Sequence, residues 1–317
     1  MKKWVHDELI CPFCTDTESP LNLEIETAVA DEIVAGTLSC PACRETYPIT
    51  DGIAALLPEK SRNMLSTSQG YNAPAMLSAY LWSHFCDLIG DSQATDAYAI
   101  WADTFRKARS QTNGLALDVG CAVGRLSFEL SATHSRVIGL DTSMAFIRKA
   151  RDILVRKRLD FDLIVEGHLT EPRGCTLNPD WNLSGVEFIV ADAMALPFRK
   201  NRISTVAAIN ILEKVPDPIR HLSEVNRVMV EKEALFLFSD PFSWDEAFSR
   251  PDRWLGGNLD SRYCPRGIDT LRRLFSGEDH IFDPALALED DGKVSWKIRK
   301  TENLWEHITS HYLVGRR

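Results

Sequence analysis

The segment Leu115–Asp141, LALDVGCAVGRLSFELSATHSRVIGLD, constrains the fold more than any other part of this sequence. A short apolar run ends at a turn containing Gly120 and Gly124, an amphipathic pattern follows, and a second apolar run ends at Asp141. This order predicts a strand, a tight turn, a helix and a strand, the first unit of a parallel, doubly wound sheet. Glycines in the turn let a ligand approach the backbone. An acid about 20 residues beyond the turn lies where it can bind both hydroxyls of a ribose.

The turn differs from the dinucleotide-binding fingerprint G-x-G-x-x-G, because Asp118 stands where the first glycine would be. An anion there repels phosphate and suits a cationic, amine-bearing ligand. The segment resembles motif I of the S-adenosylmethionine-dependent methyltransferases, and this resemblance implies an α/β, Rossmann-like, seven-stranded doubly wound sheet with a C-terminal antiparallel hairpin. The residues alone leave two alternatives open: a dinucleotide site, and a strand–helix–strand unit whose crevice binds nothing.

Two Cys-x-x-Cys pairs, Cys11/Cys14 and Cys40/Cys43, are separated by 25 residues that include a predicted hairpin over residues 21–38. Each short spacer brings two thiolates onto one ion, so the pairs predict one tetrahedral zinc. Four cysteine ligands leave no open position for water, which indicates a structural rather than a catalytic metal. The alternatives are redox-active dithiols and unliganded thiols.

Residues 9–60, which continue through Tyr47–Ile53 and Leu56–Pro58, resemble the zinc-ribbon family typified by the small activator subunit of tRNA and protein methyltransferases. In that family the ribbon either partners a methyltransferase or is fused to one, so a protein partner on the ribbon is a further expectation. The predicted organisation is a small β zinc ribbon over residues 1–60, a linker (Ser61–Gly70) and lid helices over 61–110, and a methyltransferase domain over 111–317.

The methyltransferase resemblance also implies a set of cofactor-binding residues. A third strand, Val186–Val190, leads to Asp192-Ala193, which resembles the family motif that binds the adenine ring. The implied S-adenosylmethionine contacts are Asp118, Gly120, Cys121, Ala122, Gly124, Arg125, Asp141, Thr142, Ser143, Asp192, Ala193 and Asn210. Ser204 and Lys214 replace the acid and the histidine that the family usually carries, so the resemblance provides no catalytic base there.

Several short sequence motifs, in order over residues 115–301, resemble those of the methyltransferase half of the ovothiol-biosynthesis enzymes. These enzymes methylate an imidazole nitrogen of thiohistidine. The motifs are Asp118–Arg125, Phe146-Ile147, Glu166-Gly167, Asn210, Pro241-Phe242 with Trp244, Trp254–Gly257 and Ile298-Arg299. The match departs at Lys300, Asn303 and Trp305. The resemblance implies a thiohistidine-like amino acid as the methyl acceptor.

From this resemblance we predict which side chains act on the acceptor. Arg299 would bind the acceptor carboxylate with two parallel hydrogen bonds. Glu166 would take the ammonium group or the imidazole N–H, and Asn210 would orient the ring. The predicted pocket walls and facing residues are Tyr80, His84, Phe242 and Trp244. The alternatives are a surface-strand arginine for Arg299, a solvated loop acid for Glu166, and ordinary core packing for Tyr80 and His84.

Composition and charge restrict the class of partner. The 317 residues are 44% hydrophobic, but no run of 18 uncharged apolar residues occurs and the start has no apolar signal core, so we expect a soluble, cytoplasmic protein that does not bind membranes. Eight cysteines in such a chain favour metal ligands or free thiols over disulfides. Residues 1–60 carry four lysines and arginines against eleven acids, a net charge of −7 out of −9 for the whole chain.

The charge distribution separates the function hypotheses. The favoured one is methyl transfer from S-adenosylmethionine to a nitrogen of a small molecule, the imidazole of 5-thiohistidine. The alternative is an rRNA or tRNA base methyltransferase with a zinc-ribbon recognition domain, which needs a basic ribbon where this one is acidic. A third hypothesis is a non-catalytic scaffold whose ribbon recruits partners, and intact Asp118, Asp141 and Asp192 argue against it.

Overall fold

The structure is a computed structural model that describes residues 1–59, 69–108, 114–259 and 262–317. Most of the predicted linker Ser61–Gly70 lies outside these residues. The strands are β1 Asn22–Val29, β2 Glu32–Ser39, β3 Thr46–Thr50, β4 Ile53–Leu56, β5 Leu115–Val119, β6 Arg136–Asp141, β7 Arg158–Glu166, β8 Leu169–Thr176, β9 Val186–Ala191, β10 Ile203–Ile209, β11 Leu235–Asp240, β12 Ala287–Arg299 and β13 Trp305–Arg316. The helices are α1 Lys3–His6, α2 Pro74–Phe85, α3 Ala97–Ala108, α4 Arg125–Ser131, α5 Met144–Arg156, α6 Pro218–Val228 and α7 Gly267–Phe275.

One mixed sheet runs through the described chain in the order β1-β2-β3-β4-β9-β6-β5-β10-β11-β13-β12. Its seven strands from β9 to β12 comprise five parallel strands followed by the antiparallel hairpin β12–β13. The predicted seven-stranded sheet with a C-terminal hairpin is therefore confirmed. Every residue of β5, β9 and β11 is buried, because helices cover both faces of the parallel part: α3, α4 and α5 on one side, α6 and α7 on the other.

The turn after β5 shows why a glycine is needed where α4 begins. Gly124 is the N-cap of α4 with a φ of 84°, in the left-handed region that side chains disfavour. A Cβ added there would lie 2.5 Å from Phe188 Cζ on β9. Gly124 therefore allows both the sharp turn and the close packing of α4 against the sheet.

The ribbon is a continuous part of the sheet. Strand β4 pairs in parallel with β9, with Ala55 opposite Val190 and Leu56 opposite Ala191. Beside this pairing, Arg151 of α5 donates to Glu187 Oε1 and to Glu32 Oε2, both at 2.6 Å. Glu187 is fully buried. A buried charge is tolerated only when it is paired and hydrogen-bonded, so this ion-pair network fixes the ribbon on the methyltransferase-like sheet.

The chain between α5 and β9 forms a two-stranded unit outside the main sheet, β7–β8. Helix α2 packs against it: Ser78 Oγ donates to Asp162 O and accepts from Ile164 N, both at 3.1 Å. The end of the β12–β13 hairpin joins it through Glu302 N, which donates to Val165 O. Within the described residues, no helix has the length and hydrophobicity needed to cross a bilayer.

Removing the Arg151 side chain should destabilise the whole chain. The substitution Arg151→Met leaves Glu187 as a buried carboxylate without its guanidinium partner, which typically costs about 3–5 kcal/mol of unfolding free energy. The measurement is urea unfolding followed by circular dichroism. Arg148→Met, at an exposed position of the same helix, is the matched control, with an expected change of about 0.5 kcal/mol or less. Equal unfolding midpoints for the two variants would show that the network does not fix the ribbon.

Candidate functional site

The four cysteines of the ribbon converge on one point. Their sulfur atoms all lie within 4.8 Å of one another, with Cys11 Sγ 3.6 Å from Cys43 Sγ and Cys14 Sγ 3.9 Å from Cys40 Sγ. Sulfurs bound tetrahedrally to zinc at about 2.3 Å are about 3.8 Å apart. The donor set and its spacing therefore fit one zinc ion, as the sequence predicts.

Hydrogen bonds around Cys40 favour its thiolate, the form that binds zinc. The Cys43 amide lies 3.5 Å and the Ser19 hydroxyl 3.3 Å from Cys40 Sγ. Burial alone would raise the pKa of Cys40, but these hydrogen bonds and one from the Ala42 amide outweigh it and lower the pKa to about 6.

Replacing one ligand should release the metal. Wild-type protein is expected to contain one zinc ion per chain by inductively coupled plasma mass spectrometry, and Cys40→Ser should lose it, with a lower melting temperature because zinc binding stabilises the folded ribbon. Cys175→Ser, at a cysteine of β8 outside the cluster, should keep both properties. Zinc retained at full stoichiometry in Cys40→Ser would contradict the four-cysteine site.

Asp141, at the end of β6, connects the glycine turn to the start of α5. Its Oδ2 accepts from Ala122 N at 3.1 Å and its Oδ1 accepts from Ser143 N at 2.8 Å. Burial raises the pKa of Asp141 to about 6. Ser143 caps α5 by accepting from Phe146 N at 3.2 Å, whereas Thr142 is exposed beside it. The predicted cofactor residues of these two turns are thus neighbours at one edge of the sheet.

Asp118 lies beneath the same turn. It is 2% exposed, and its Oδ2 accepts from Ser127 Oγ of α4 at 2.7 Å. Burial, with the charge of Asp141 as a smaller contribution, raises the pKa of Asp118 to about 7. The contact that we observe holds α4 on β5, and the predicted attraction of Asp118 for a cationic ligand stays a prediction. Cys121, in the turn, is also buried.

Asp192, the third aspartate of the predicted cofactor set, follows β9. Its Oδ1 accepts from Met194 N at 2.8 Å, which stabilises the loop after this strand. The next residue, Ala193, is buried, and its carbonyl lies 3.2 Å from His221 Nδ1 of α6. Asn210 follows β10, where its Oδ1 accepts from Ser310 Oγ of β13 at 2.6 Å. The tips of four neighbouring strands therefore carry the predicted cofactor set.

Three non-glycine residues at these tips have left-handed backbones: Ala122 with a φ of 46°, Asn210 with 56° and Phe242 with 55°. Such conformations are strained and concentrate at functional sites. They follow β5, β10 and β11, the strands whose carboxyl ends meet at the edge where doubly wound sheets bind ligands. The chain therefore turns sharply after each of these three strands.

Aromatic side chains from the segment between β4 and β5 cover this edge of the sheet. Tyr71 contacts Tyr80 with ring centroids 5.9 Å apart, and Tyr80 lies 4.9 Å from Phe146 of α5. Burial raises the pKa of both tyrosines, and the charge of Asp141 raises them further. Tyr80 therefore lies close to the Asp141 turn, and its role in the wall of an acceptor pocket stays a prediction.

Two other predicted site residues, Arg125 and His84, are buried and have partners within the protein. Arg125 is 1% exposed, and its guanidinium donates to both carboxylate oxygens of Asp87 at 2.7 and 2.9 Å and to Glu129 at 2.7 Å. It therefore links α4 to the segment after α2. His84 is buried beneath the aromatic cover, 2.6 Å from the Tyr98 hydroxyl, and burial lowers its pKa to about 3, so its ring is neutral.

The predicted substrate residues do not assemble into one pocket. Glu166 is exposed at the tip of the β7–β8 hairpin. Arg299 lies at the end of β12, 3.7 Å from both Asp91 and Glu171 and 5.6 Å from the Trp305 ring centroid. Phe242 and Trp244 contact each other in the loop after β11, and neither contacts Arg299.

A cavity of about 640 Å³, widely open to solvent, adjoins that loop, and Trp244 is the one predicted substrate residue among the described residues that line it. Its lining residues are Lys214, Ser243, Trp244, Asp245, Glu246 and Trp254. Glu213 and Lys214 lie in the loop that follows β10, at the ligand-binding edge of the sheet. This position after β10 is the signal in the sequence from which both residues could have been identified.

The raised pKa of Asp118 should make stability pH-dependent. Because the folded-state pKa of about 7 exceeds the unfolded value, the folded protein keeps a proton that the unfolded chain loses, and stability falls as pH rises from about 4 to about 7. Asp118→Asn cannot ionise but still accepts from Ser127. Its unfolding free energy, measured in urea, should therefore rise relative to the wild-type value across that range. Asp162→Asn, at an exposed strand position, is the control, and parallel pH curves for wild type and Asp118→Asn would refute the assignment.

Comparison with known proteins adds two matched segments. Residues 117–237 match the methyltransferase domain family, and residues 2–52 match the Trm112p-like protein family. Sterol 24-C-methyltransferase ERG6B of Gibberella zeae is 24% identical over 297 residues, covering 84% of this chain and 71% of the relative. The two matched segments coincide with the sheet that carries the three aspartates and with the four-cysteine ribbon.

Two solved structures illustrate the similarity in three dimensions. An S-adenosylmethionine-dependent methyltransferase from Methanosarcina mazei is 16% identical, with a TM-score of 0.44, over 68% of this chain and 96% of that one. A chain from the complex between the Haloferax volcanii Trm112 methyltransferase activator and a methyltransferase is 15% identical, with a TM-score of 0.43, over 76% of this chain and 96% of that one.

Proposed function

We propose that this chain, a methyltransferase of the S-adenosylmethionine-dependent type with an N-terminal Trm112-like zinc ribbon, methylates a nitrogen of a small molecule. The proposed acceptor is the imidazole ring of 5-thiohistidine. The observation that carries the methyl-donor half is the Asp141 turn, whose carboxylate joins Ala122 and Ser143 at the sheet edge. The acceptor half rests on the resemblance of the sequence to the ovothiol-biosynthesis enzymes.

The residues at the sheet edge fit the methyl donor. Asp141 has carboxylate oxygens for the two ribose hydroxyls, and Asp192 with Ala193 occupies the tip of the next strand for the adenine ring. Tyr71, Tyr80 and Phe146 provide an apolar cover that would exclude water. When bound, S-adenosylmethionine supplies an electrophilic methyl group attached to a positively charged sulfur.

Methyl transfer then requires little from the protein beyond positioning of the acceptor and exclusion of water. Holding a nucleophile at attack distance can supply several kcal/mol of barrier reduction, up to about 7–11 in the best intramolecular reactions. A neutral imidazole nitrogen already carries a lone pair near pH 7, so it needs no strong base. His84 and His221, whose rings burial keeps neutral, are held by Tyr98 and Ala193 rather than exposed to an acceptor.

Two rival acceptors follow from the comparisons and from the ribbon. The name of the Gibberella zeae relative includes a sterol. An RNA base is the acceptor in the alternative hypothesis, but the net charge of −7 over residues 1–60 opposes the phosphate contacts that RNA binding requires. The proposal is therefore a small, soluble nitrogen acceptor, and the rivals are included in the test.

The test is a product assay with four acceptors. Purified protein and S-adenosylmethionine are incubated with 5-thiohistidine, L-histidine, a sterol unmethylated at carbon 24, or a tRNA transcript, and the products are analysed by mass spectrometry. We expect 5-thiohistidine alone to gain one methyl group, on a ring nitrogen. A methylated sterol or RNA with unmodified 5-thiohistidine would refute the acceptor and leave the methyltransferase type intact.

A variant of the donor site tests the methyl-donor half of the proposed function. Asp141→Asn loses the charged acceptor for the ribose hydroxyls, and loss of such a charge-assisted hydrogen bond typically weakens binding about tenfold to hundredfold. The measurement is calorimetric titration with S-adenosylmethionine. The exposed Asp162→Asn is the matched control, and equal affinities for the two variants would show that Asp141 does not bind the donor.

A further inference from the structure

We propose that the cavity beside Lys214 is the acceptor subsite and that it selects a zwitterionic amino acid with a flat ring. Lys214 would bind the carboxylate, Trp244 and Trp254 would contact the ring, and Asp245 with Glu246 would attract the ammonium group. This inference rests on the proposed function and names the substrate class for the same site. It replaces Arg299, which the sequence analysis chose for the carboxylate.

The cavity has a rigid frame, because two buried acids cross-link the loops after β10 and β11. Asp240 Oδ1 accepts from Phe242 N at 2.8 Å, and its Oδ2 accepts from Glu213 N at 3.4 Å. The Glu213 carboxylate accepts in turn from the Ser243 hydroxyl at 2.8 Å and from the Ser243 amide. Asp240, at the end of β11, therefore holds the loop after β10, and Glu213, in the loop after β10, holds the loop after β11. These contacts fix the residues that face the cavity.

Lys214 supplies positive charge to this frame. Its Nζ lies 2.9 Å from Glu213 Oε1 and 4.6 Å from the Phe248 ring centroid, and its side chain is 29% exposed. Burial would lower the pKa of Lys214, but the contact with Glu213 outweighs it and raises the pKa, so the ammonium stays charged. An ammonium has three donors, so the pairing with Glu213 leaves capacity for a ligand carboxylate. Lys214 is the sole cation among the described residues that line the cavity.

A flat aromatic wall stands next to this cation. The rings of Trp244 and Trp254 are stacked, with centroids 6.2 Å apart and planes at 15°. Trp254 Nε1 donates to Ser249 O at 3.1 Å, whereas the buried Trp244 Nε1 has no partner in the described part of the chain. Because this Nε1 atom is closed off from solvent, Trp244 contributes its ring surface rather than its N–H to the cavity.

Two exposed acids at the rim complete the charge pattern. Asp245 and Glu246 line the same cavity as Lys214. One cation and two anions around an aromatic wall match a ligand that carries both a carboxylate and an ammonium, and an ammonium also gains from contact with a tryptophan face. A sterol has no charged group to interact with Lys214, Asp245 or Glu246.

The cavity adjoins the predicted methyl-donor crevice. Tyr71 lies between them: its ring is 6.0 Å from Phe146 and 6.5 Å from Phe248, the residue beneath Lys214. Both Lys214 and Asp141 influence the Tyr71 hydroxyl, whose pKa burial raises. In addition, a Cβ on Gly120 would lie 2.6 Å from Ile211 Cδ1, so the loop leading to Lys214 packs on the glycine turn. A ring held in the cavity would be next to the donor.

The experiment measures binding to the full-length chain without cofactor. Tryptophan fluorescence and calorimetry give the affinities of 5-thiohistidine and of its decarboxylated analogue, 5-thiohistamine. Wild type should prefer 5-thiohistidine about tenfold or more, since a charge-assisted hydrogen bond is lost with the carboxylate. Lys214→Gln should reduce this preference to about one, and Lys214→Arg, which keeps the charge, should retain most of it.

Two further variants make the comparison specific. Lys232→Gln removes an exposed lysine outside the cavity, and Arg299→Gln removes the rival carboxylate ligand, so both should keep the wild-type preference. Loss of the preference in Arg299→Gln, its retention in Lys214→Gln, or failure of wild type to bind either compound would overturn the subsite. Near-ultraviolet circular dichroism of each variant verifies that it is folded.

The outcomes also separate this inference from the proposed function. Methylation of 5-thiohistidine together with an unchanged preference in Lys214→Gln refutes the subsite and supports the function. A preference that depends on Lys214, without any methylated product in the presence of S-adenosylmethionine, supports the subsite and refutes 5-thiohistidine as the acceptor.

Discussion

The two hydrogen bonds that Asp141 accepts are the interaction on which the candidate site depends. They hold the turn after β5, through Ala122, against the start of α5, through Ser143, so one carboxylate fixes two segments on either side of the crevice. Burial raises its pKa to about 6, which shows that this carboxyl is held where its charge is costly. A site that must bind a nucleoside and a positively charged sulfur gains from such a fixed acid, because no reorganisation is needed when the ligand arrives.

Buried acids with fixed partners also lie on both sides of β5 in the parallel sheet. Glu187 on β9 is paired with Arg151 and thereby fixes the ribbon, whose strand β4 covers what would otherwise be the sheet edge. On the other side of β5, Asp240 and Glu213 cross-link the loops that shape the cavity beside Lys214. Burial and the charge of Glu213 raise the pKa of Asp240 well above its usual range.

The zinc ribbon therefore has a structural position that its sequence alone does not reveal. Its cysteine cluster lies at one end of a continuous sheet, while β9, the strand next to it, leads to Asp192 at the proposed adenine site. Loss of the ribbon would expose the paired edge of β9 and the buried Glu187 together. The acidic ribbon is thus part of the same sheet in this chain, and it is held there by Lys2, whose amide donates to Glu187, and by Glu32, which accepts from Arg151.

The sequence by itself determined the elements whose signals are local. The glycine turn, the alternation of apolar runs and helices, and the two Cys-x-x-Cys pairs each depend on residues close together in the chain, and the structure contains the corresponding sheet, hairpin and cysteine cluster. Only the tertiary structure decided which polar side chains meet. Arg125 pairs with Asp87, Arg299 lies near Asp91 and Glu171, and Lys214 lies near the tryptophans after β11. Such contacts arise from packing between segments far apart in sequence. Residue type and spacing give no measure of those distances.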